Sequence, residues 1–234
     1  WLLFALYPLP DSTFDWSQAG VASDWPHHLQ GFAAHWNKNT NAAWAFDTWF
    51  LNLFPREQVF EGHQGGYATL SFIPTLGTMI LGLIAGRWLQ RDDPTSHITR
   101  RFLIAGSLGL VAGVLLDASG ICPSVKRIWT PSWTLFSGGW CFLILAALHW
   151  IMDRKQKTRW AFPLLVIGAN SILAYCSEWL VVGFIRSNLE THFGEALQSL
   201  VGAPYASLLL GVGVLAIIWL VLLRLYRRRI FIRI

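Results

Sequence analysis

Five long apolar runs, separated by short polar segments, dominate the chain. They cover residues 70–89, 102–121, 133–151, 160–185 and 206–226. The hydrocarbon core of a bilayer takes about 20 mostly apolar helical residues to cross, and in lipid the backbone polar groups of a span must satisfy one another. The pattern therefore predicts an all-α fold, a polytopic transmembrane helix bundle with about five complete spans.

The first residues predict the end of an earlier span. Trp1 to Leu6 is apolar and is followed by Pro8 and Pro10, which end a helix, so further spans are expected upstream. The predicted organisation has four parts. They are the end of a truncated transmembrane helix (1–8), an external aromatic-rich segment (9–69), the five-span bundle (70–226) and a basic cytoplasmic tail (227–234).

The external segment is too polar to span and too aromatic for a plain linker. From Trp44 to Phe54 its aromatic and aliphatic residues recur at roughly helical spacing, interrupted by Asp47 and Asn52. We predict an amphipathic helix over 41–53, ended by Pro55, that lies on the membrane or caps the bundle.

Composition and charge agree with a membrane protein and set its orientation. Only 13% of residues are charged, against about 25% in soluble domains, and 14 are Trp, which favours membrane interfaces. The segments 86–101, 153–159 and 224–234 carry thirteen of the 18 basic residues. By the positive-inside rule these segments are predicted cytoplasmic, and the net charge of +5 then needs no nucleic-acid partner.

Polar residues inside a span are candidates for function, because they are costly in lipid. In the fourth run Asn170, Ser171, Tyr175 and Glu178 fall along one broad helix face. We interpret Asn170, Tyr175 and Glu178 as candidates to support catalysis, with Glu178 as a general base or a cation site. A structural ion pair or an interfacial position for Glu178 is the alternative.

The external loop Cys122–Ser132 is a second cluster, with two cations, an indole and hydroxyls. Lys126, Trp129 and Ser132 suit an anionic or sugar ligand, and an ordinary interfacial loop is the alternative. No metal-ligand spacing occurs, so no metal is predicted. Two small-residue pairs, Gly82/Gly86 and Gly109/Gly113, predict close helix packing within the chain, and a homo-oligomer stays open.

Several of these motifs, in this order, resemble the C-terminal half of the heparan-α-glucosaminide N-acetyltransferase family, including its bacterial relatives. The resemblance extends from about Phe46 to the basic tail. The stretches that carry it are 46–56, 65–74, 121–132, 153–154, 160–163 and 168–175. One departure is Val125, where the family carries Asn before the Lys of its external loop.

The resemblance implies a transmembrane acyltransferase of the bacterial inner membrane, with its C-terminus cytoplasmic. It would use acetyl-CoA as co-substrate, without a bound cofactor, and acetylate an external amino sugar or glycan. The acid/base His of the family would lie upstream of this chain, and Asn170 matches an intramembrane Asn. The expected acceptor site comprises Lys126, Trp129, Ser132, Tyr67 and Asp47, and the CoA phosphates would meet Arg87, Arg101 and Arg154.

Two other classes remain open from the residues alone. A transporter or flippase for a lipid or sugar would use Asn170 and Glu178 as polar sites within the membrane. A non-catalytic membrane scaffold would use neither. Acetyl-CoA binding favours the acyltransferase, and substrate flux without acetyl-CoA favours the transporter.

Overall fold

The computed structural model describes residues 1–11, 13–91 and 93–232 of the chain. Over these residues every regular element is helical and no strand occurs, which confirms the predicted all-α class. The chain divides into two compact units, Trp1–Gln156 and Lys157–Ile234, and each is described by itself.

The first unit contains the external segment and the first three predicted spans. Its long helices are α4, α5 and α6, and each is long and apolar enough to cross a membrane. A π-helical turn, Trp150–Arg154, continues α6. The helices of this unit are α1 (Leu2–Ala5), α2 (Trp16–Ala19), α3 (Ala42–Leu51), α4 (Phe72–Leu89), α5 (Thr95–Ala118) and α6 (Pro131–His149).

Glycines allow α5 and α6 to pack with their backbones in contact. A Cβ built on Gly139 would stand 2.7 Å from the Leu110 backbone N, and one on Gly113 would stand 2.8 Å from the Phe136 backbone N. Gly109 belongs to the same contact, whereas Gly82 and Gly86 have no neighbour within 4 Å of a built Cβ. The predicted close approach therefore occurs at the second glycine pair and not at the first.

The external helix forms close to its predicted position but buries a different face. The Asn41 side chain caps α3 by accepting hydrogen bonds from the backbone N–H groups of Ala43 and Trp44, both at 3.0 Å. The buried residues of α3 are Ala42, Ala43 and Asp47. Trp49 points outward and is 60% exposed, whereas Trp44, Phe46 and Phe50 are half-buried. An exposed Trp suits the membrane interface.

The second unit corrects the predicted fourth span. Instead of one helix over 160–185, two helices meet at Asn170 with a bend of 65°. Asn170 itself has φ −131° and ψ 47°, which is not helical. Asn side chains compete for backbone partners and so favour such breaks, a preference that the apolar run concealed. The helices are α7 (Phe162–Ala169), α8 (Ser171–Leu180), α9 (Val182–Val201) and α10 (Ala203–Arg227).

Helix α9 occupies the segment 186–200, which the sequence predicted to be an external loop. It is polar, with an Arg186–Glu190 ion pair of 2.9 Å one turn apart, and hydropathy alone does not reveal such a helix. Gly202, with φ +82°, joins it to α10, and Leu189 of α9 packs at Gly213 of α10.

Helix α10 confirms the fifth predicted span. The part of the chain that the structure describes thus has four helices suited to crossing a membrane, or five if the bent pair α7–α8 crosses as one. The protein is therefore an integral membrane protein with a helical bundle fold. The last two residues of the predicted tail, 233–234, lie outside the described residues.

Candidate functional site

An open cleft of about 350 Å³ lies where the external segment meets the loop between α5 and α6. We call it the external cleft. Basic, aromatic and amide side chains line it, and its described lining contains no carboxylate. The lining residues are Trp25, His27, Leu29, Trp36, Asn37, Lys38, Asn41, Gly66, Ser124, Val125, Lys126, Arg127 and Ile128.

Three buried asparagines at alternate positions, 37, 39 and 41, support one wall of the external cleft, and Asn37 and Asn41 line it. The Asn37 side chain accepts from the Leu29 backbone N at 2.8 Å and donates to the Leu29 backbone O at 3.1 Å. Asn39 donates to the backbone O atoms of Ala19 and His63, and Asn41 donates to that of Asn37. These bonds replace regular secondary structure in satisfying buried backbone groups, and they hold Lys38 in position.

The facing wall is the loop 122–132, which is fixed by its own hydrogen bonds. Ser132 is fully buried, and its hydroxyl donates to the Pro123 backbone O at 3.0 Å. The Thr130 hydroxyl accepts from the Val125 backbone N at 3.0 Å. Ser132, predicted to bind substrate, therefore lies beneath the loop and holds its shape, while Lys126 lines the external cleft.

Arg127 connects the loop 122–132 to the segment 65–71, which leads into α4. Its guanidinium donates to the Gly65 backbone O, and it stands 5.9 Å from the centre of the Tyr67 ring. The Ser71 hydroxyl approaches the Arg127 backbone O at 3.4 Å. Tyr67, a predicted acceptor-site residue, is exposed beside the external cleft and does not line it.

Trp129 contributes to a second cavity rather than to the external cleft. It adopts the left-handed region, with φ +55°, and its indole N–H donates to the Thr78 hydroxyl at 3.0 Å. The cavity, which we call the aromatic groove, has a volume of about 300 Å³. Its lining is Trp1, Leu3, Phe4, Trp36, Leu70, Ile73, Pro74, Ile128, Trp129, Thr130 and Pro131.

Asp47, another predicted acceptor-site residue, lies on the buried face of α3. Its Oδ2 accepts from the Thr69 backbone N at 2.9 Å, at the turn that starts the first span. Its Oδ1 is buried and has no hydrogen-bond partner among the described residues. Buried carboxylate oxygens without partners are costly, so Asp47 stands out as a strained feature of this unit.

Replacing Asp47 by Asn tests its hydrogen bond to Thr69 separately from its buried charge. An amide keeps the acceptor for Thr69 and removes a buried charge, so Asp47→Asn should leave the melting temperature equal or higher. Asp47→Leu should lower stability by about 1–3 kcal/mol, because the Thr69 N–H loses its partner. Thermal unfolding in detergent tests both, with the exposed Asp24→Asn as control. A marked loss of stability in Asp47→Asn would show that the charge itself has a partner.

The intramembrane candidates are not brought together as predicted. Both ends of the Asn170 amide are engaged: Nδ2 donates to the Ile230 backbone O at 3.1 Å, and Oδ1 accepts from the Ile232 backbone N at 2.8 Å. Tyr175 is 74% exposed on α8, and Glu178 is also exposed. The break at Asn170 separates it from the predicted polar face, whereas Ser171, Tyr175 and Glu178 stay on one exposed face of α8.

The predicted phosphate-binding arginines lie at one end of the α4–α6 bundle. Arg87 is exposed in the last turn of α4, and Arg154 is exposed at the end of the π-helical turn. Arg101 is paired with Asp93 at 2.5 Å. The aromatic residues Trp88 and Phe102, with ring centres 5.5 Å apart, hold the helix ends together. Among the described residues, neither Arg87 nor Arg154 forms an ion pair.

A buried histidine also lies at the basic end and was not assigned from the sequence. His149 Nδ1 is 2.8 Å from the Thr99 hydroxyl, which donates to the Thr95 backbone O. This pair ties α5 to α6.

Four residues that were not predicted as site residues also line the external cleft: Trp25, His27, Trp36 and Lys38. The available signal was the polar run Asn37-Lys38-Asn39-Thr40-Asn41 within an aromatic segment. From sequence such a run predicts a solvated loop, and only the structure shows that its asparagines are buried.

Comparison of the chain with protein-family models, with curated proteins and with solved structures finds no match. The resemblance to the acetyltransferase family therefore stays a prediction.

Proposed function

We propose that this protein is a membrane acyltransferase that moves an acetyl group from acetyl-CoA to an amino sugar or glycan on the opposite face. The observation that supports it best is the arrangement of the first unit. One end of the α4–α6 bundle carries the external cleft, and the other carries Arg87 and Arg154. A cationic cleft with indole walls suits a sugar that bears polar or anionic groups.

In this proposal the basic end is cytoplasmic and binds the CoA phosphates through charge-assisted hydrogen bonds. The membrane is the bacterial inner membrane, with the C-terminus in the cytoplasm. The acid/base His comes from the segment that the family resemblance places upstream. The proposed partners are the bilayer, acetyl-CoA and the external acceptor.

Acetyl-CoA binding to the purified protein in detergent, by calorimetry, tests the proposal. The double variant Arg87→Gln/Arg154→Gln should bind at least tenfold more weakly, because each charged hydrogen bond contributes about 1.5–3 kcal/mol. Arg56→Gln, on the external segment, is the matched control and should bind as the parent does. The measurement is made with and without the predicted upstream segment. Absence of binding in both forms would reject the acyltransferase.

A transporter of lipids or sugars is the second candidate, favoured by the break at Asn170. Discontinuous membrane helices commonly form the substrate sites of transporters. Flux of a labelled sugar or lipid into proteoliposomes without acetyl-CoA would support this class. A scaffold would show neither acetyl-CoA binding nor flux.

A further inference from the structure

Two cavities of opposite character adjoin each other in the first unit. The external cleft is basic, and the aromatic groove is lined almost entirely by apolar side chains. Trp36 and Ile128, both buried, line both cavities. Together the cavities form a site with a polar compartment next to an apolar one.

The charge of the external cleft selects an anion. Lys38, Lys126 and Arg127 line it, and no Asp or Glu is among its described lining residues. Arg127 is partly engaged by the Gly65 backbone O and the Tyr67 ring. Neither Lys38 nor Lys126 has an ion pair within the described residues. Both ammonium groups are thus available to an anion in the external cleft.

The backbone at Gly66 supports Lys38. Gly66 has φ +72°, and a Cβ built there would lie 3.0 Å from Lys38 Cγ, so the aliphatic stem of the lysine lies across this glycine. A close-packed stem limits the freedom of the side chain, so less entropy is lost when its ammonium binds an anion.

The position of the aromatic groove indicates what the apolar part of the ligand is. Leu70, Ile73 and Pro74 lie at the start of the first span, and Pro131 is the first residue of α6. Ile73 is 52% exposed, and Leu3 is 60% exposed. In a membrane crossed by α4 and α6, the ends of these helices would lie where acyl chains begin below the headgroups, and Trp residues such as Trp1 and Trp129 favour that level.

We infer that the external cleft and the aromatic groove together bind a phosphate-bearing lipid of the external leaflet. The phosphate sits between Lys38 and Lys126, and the first part of the hydrocarbon chain lies in the aromatic groove. Cavities of these volumes, about 350 and 300 Å³, are at the lower end of those that hold ligands. The inference deepens the proposed function by naming the carrier of the acceptor sugar as this lipid. That one point rests on the proposed function.

Photo-crosslinking in nanodiscs tests the site without any acetyl transfer. Neutral phosphatidylcholine nanodiscs carry a trace of phosphatidylglycerol with a diazirine in its acyl chain, and the labelled peptides are mapped by mass spectrometry. Labelling is expected near Ile73 and Trp129. Lys38→Gln/Lys126→Gln should reduce it about thirtyfold, since each lysine near an anionic headgroup contributes about 1 kcal/mol and about 1.4 kcal/mol is a factor of ten. Ile73→Trp should reduce it by filling the aromatic groove.

The controls are matched in chemistry and place. Arg56→Gln removes an external cation away from the external cleft, and Leu83→Trp adds the same ring on an exposed part of α4, so both should label as the parent does. Equal labelling by a phosphatidylcholine probe would mean ordinary contact with the interface and would overturn the inference. Full competition by inorganic phosphate would show a site for free anions and would also overturn it.

The result is separable from the proposed function. Selective labelling together with absent acetyl-CoA binding would keep the lipid site and reject the acyltransferase. Acetyl-CoA binding without selective labelling would keep the proposed function and reject the lipid site.

Discussion

Gly139→Ala should destabilise the first unit by about 1–3 kcal/mol, although it adds a single methyl group. The new Cβ would stand 2.7 Å from the Leu110 backbone N and 2.8 Å from the Gly106 backbone O. Both of these are backbone atoms of α5, so no side-chain rotation relieves the clash. The two helices must move apart, and the packing that they share along their lengths is lost.

Gly82→Ala is the matched control for this prediction. It makes the same change in the middle of α4, where a built Cβ has no neighbour within 4 Å. Alanine is a better helix former than glycine by up to about 1 kcal/mol, so this variant should be neutral or slightly more stable. Thermal unfolding of both variants in one detergent gives the comparison. Equal melting temperatures for the two variants would mean that α5 and α6 do not approach as described.

Asn170→Ala should detach the segment 230–232 from the junction between α7 and α8. The substitution removes a donor to the Ile230 backbone O and an acceptor for the Ile232 backbone N, which lie at 3.1 and 2.8 Å. Asn170 is fully buried, so its loss leaves unpaired polar groups at about 1–3 kcal/mol each. We expect a large rise in protease cleavage of the basic tail, and a lower melting temperature.

Two further variants make the prediction specific. Asn170→Asp keeps the acceptor for Ile232 but sets a carboxylate oxygen against the Ile230 carbonyl, so it should also release the tail. Asn188→Ala removes an exposed asparagine of α9 that donates to the Phe184 backbone O at 2.8 Å, one turn away, and should leave cleavage unchanged. Slow cleavage in Asn170→Ala would show that other contacts hold the tail, of which the Tyr226–Phe231 ring contact at 6.1 Å is the first to test.

The Asn170 contacts also change how its part in catalysis is tested. Asn170 was predicted to support catalysis, and an amide that stabilises a developing negative charge needs an uncommitted donor. The observed amide has both ends engaged by the tail. A loss of activity in Asn170→Ala would therefore follow either from chemistry or from release of the tail. Truncation after Arg229, with Asn170 intact, distinguishes them.

Hydropathy by itself determined the helical class and the position of four spans. The reason is that lipid leaves the backbone no partner outside its own helix, so an apolar run of sufficient length has one stable conformation. The cap of α3 was equally local, since Asn41 bonds to N–H groups two and three residues ahead. The close packing at Gly109 and Gly113 was also predictable from sequence, because only small residues allow helix backbones to meet.

Only the tertiary structure decided features that depend on partners distant in the chain. Asn170 breaks an apolar run because the tail, some sixty residues on, supplies partners for its amide. Asp47 is buried because Thr69 needs an acceptor, and Lys38 reaches the external cleft because the asparagines beside it are buried. Local sequence records which polar groups are present. Which of them are satisfied by the protein, and which are left for a ligand, is set by the fold that surrounds them.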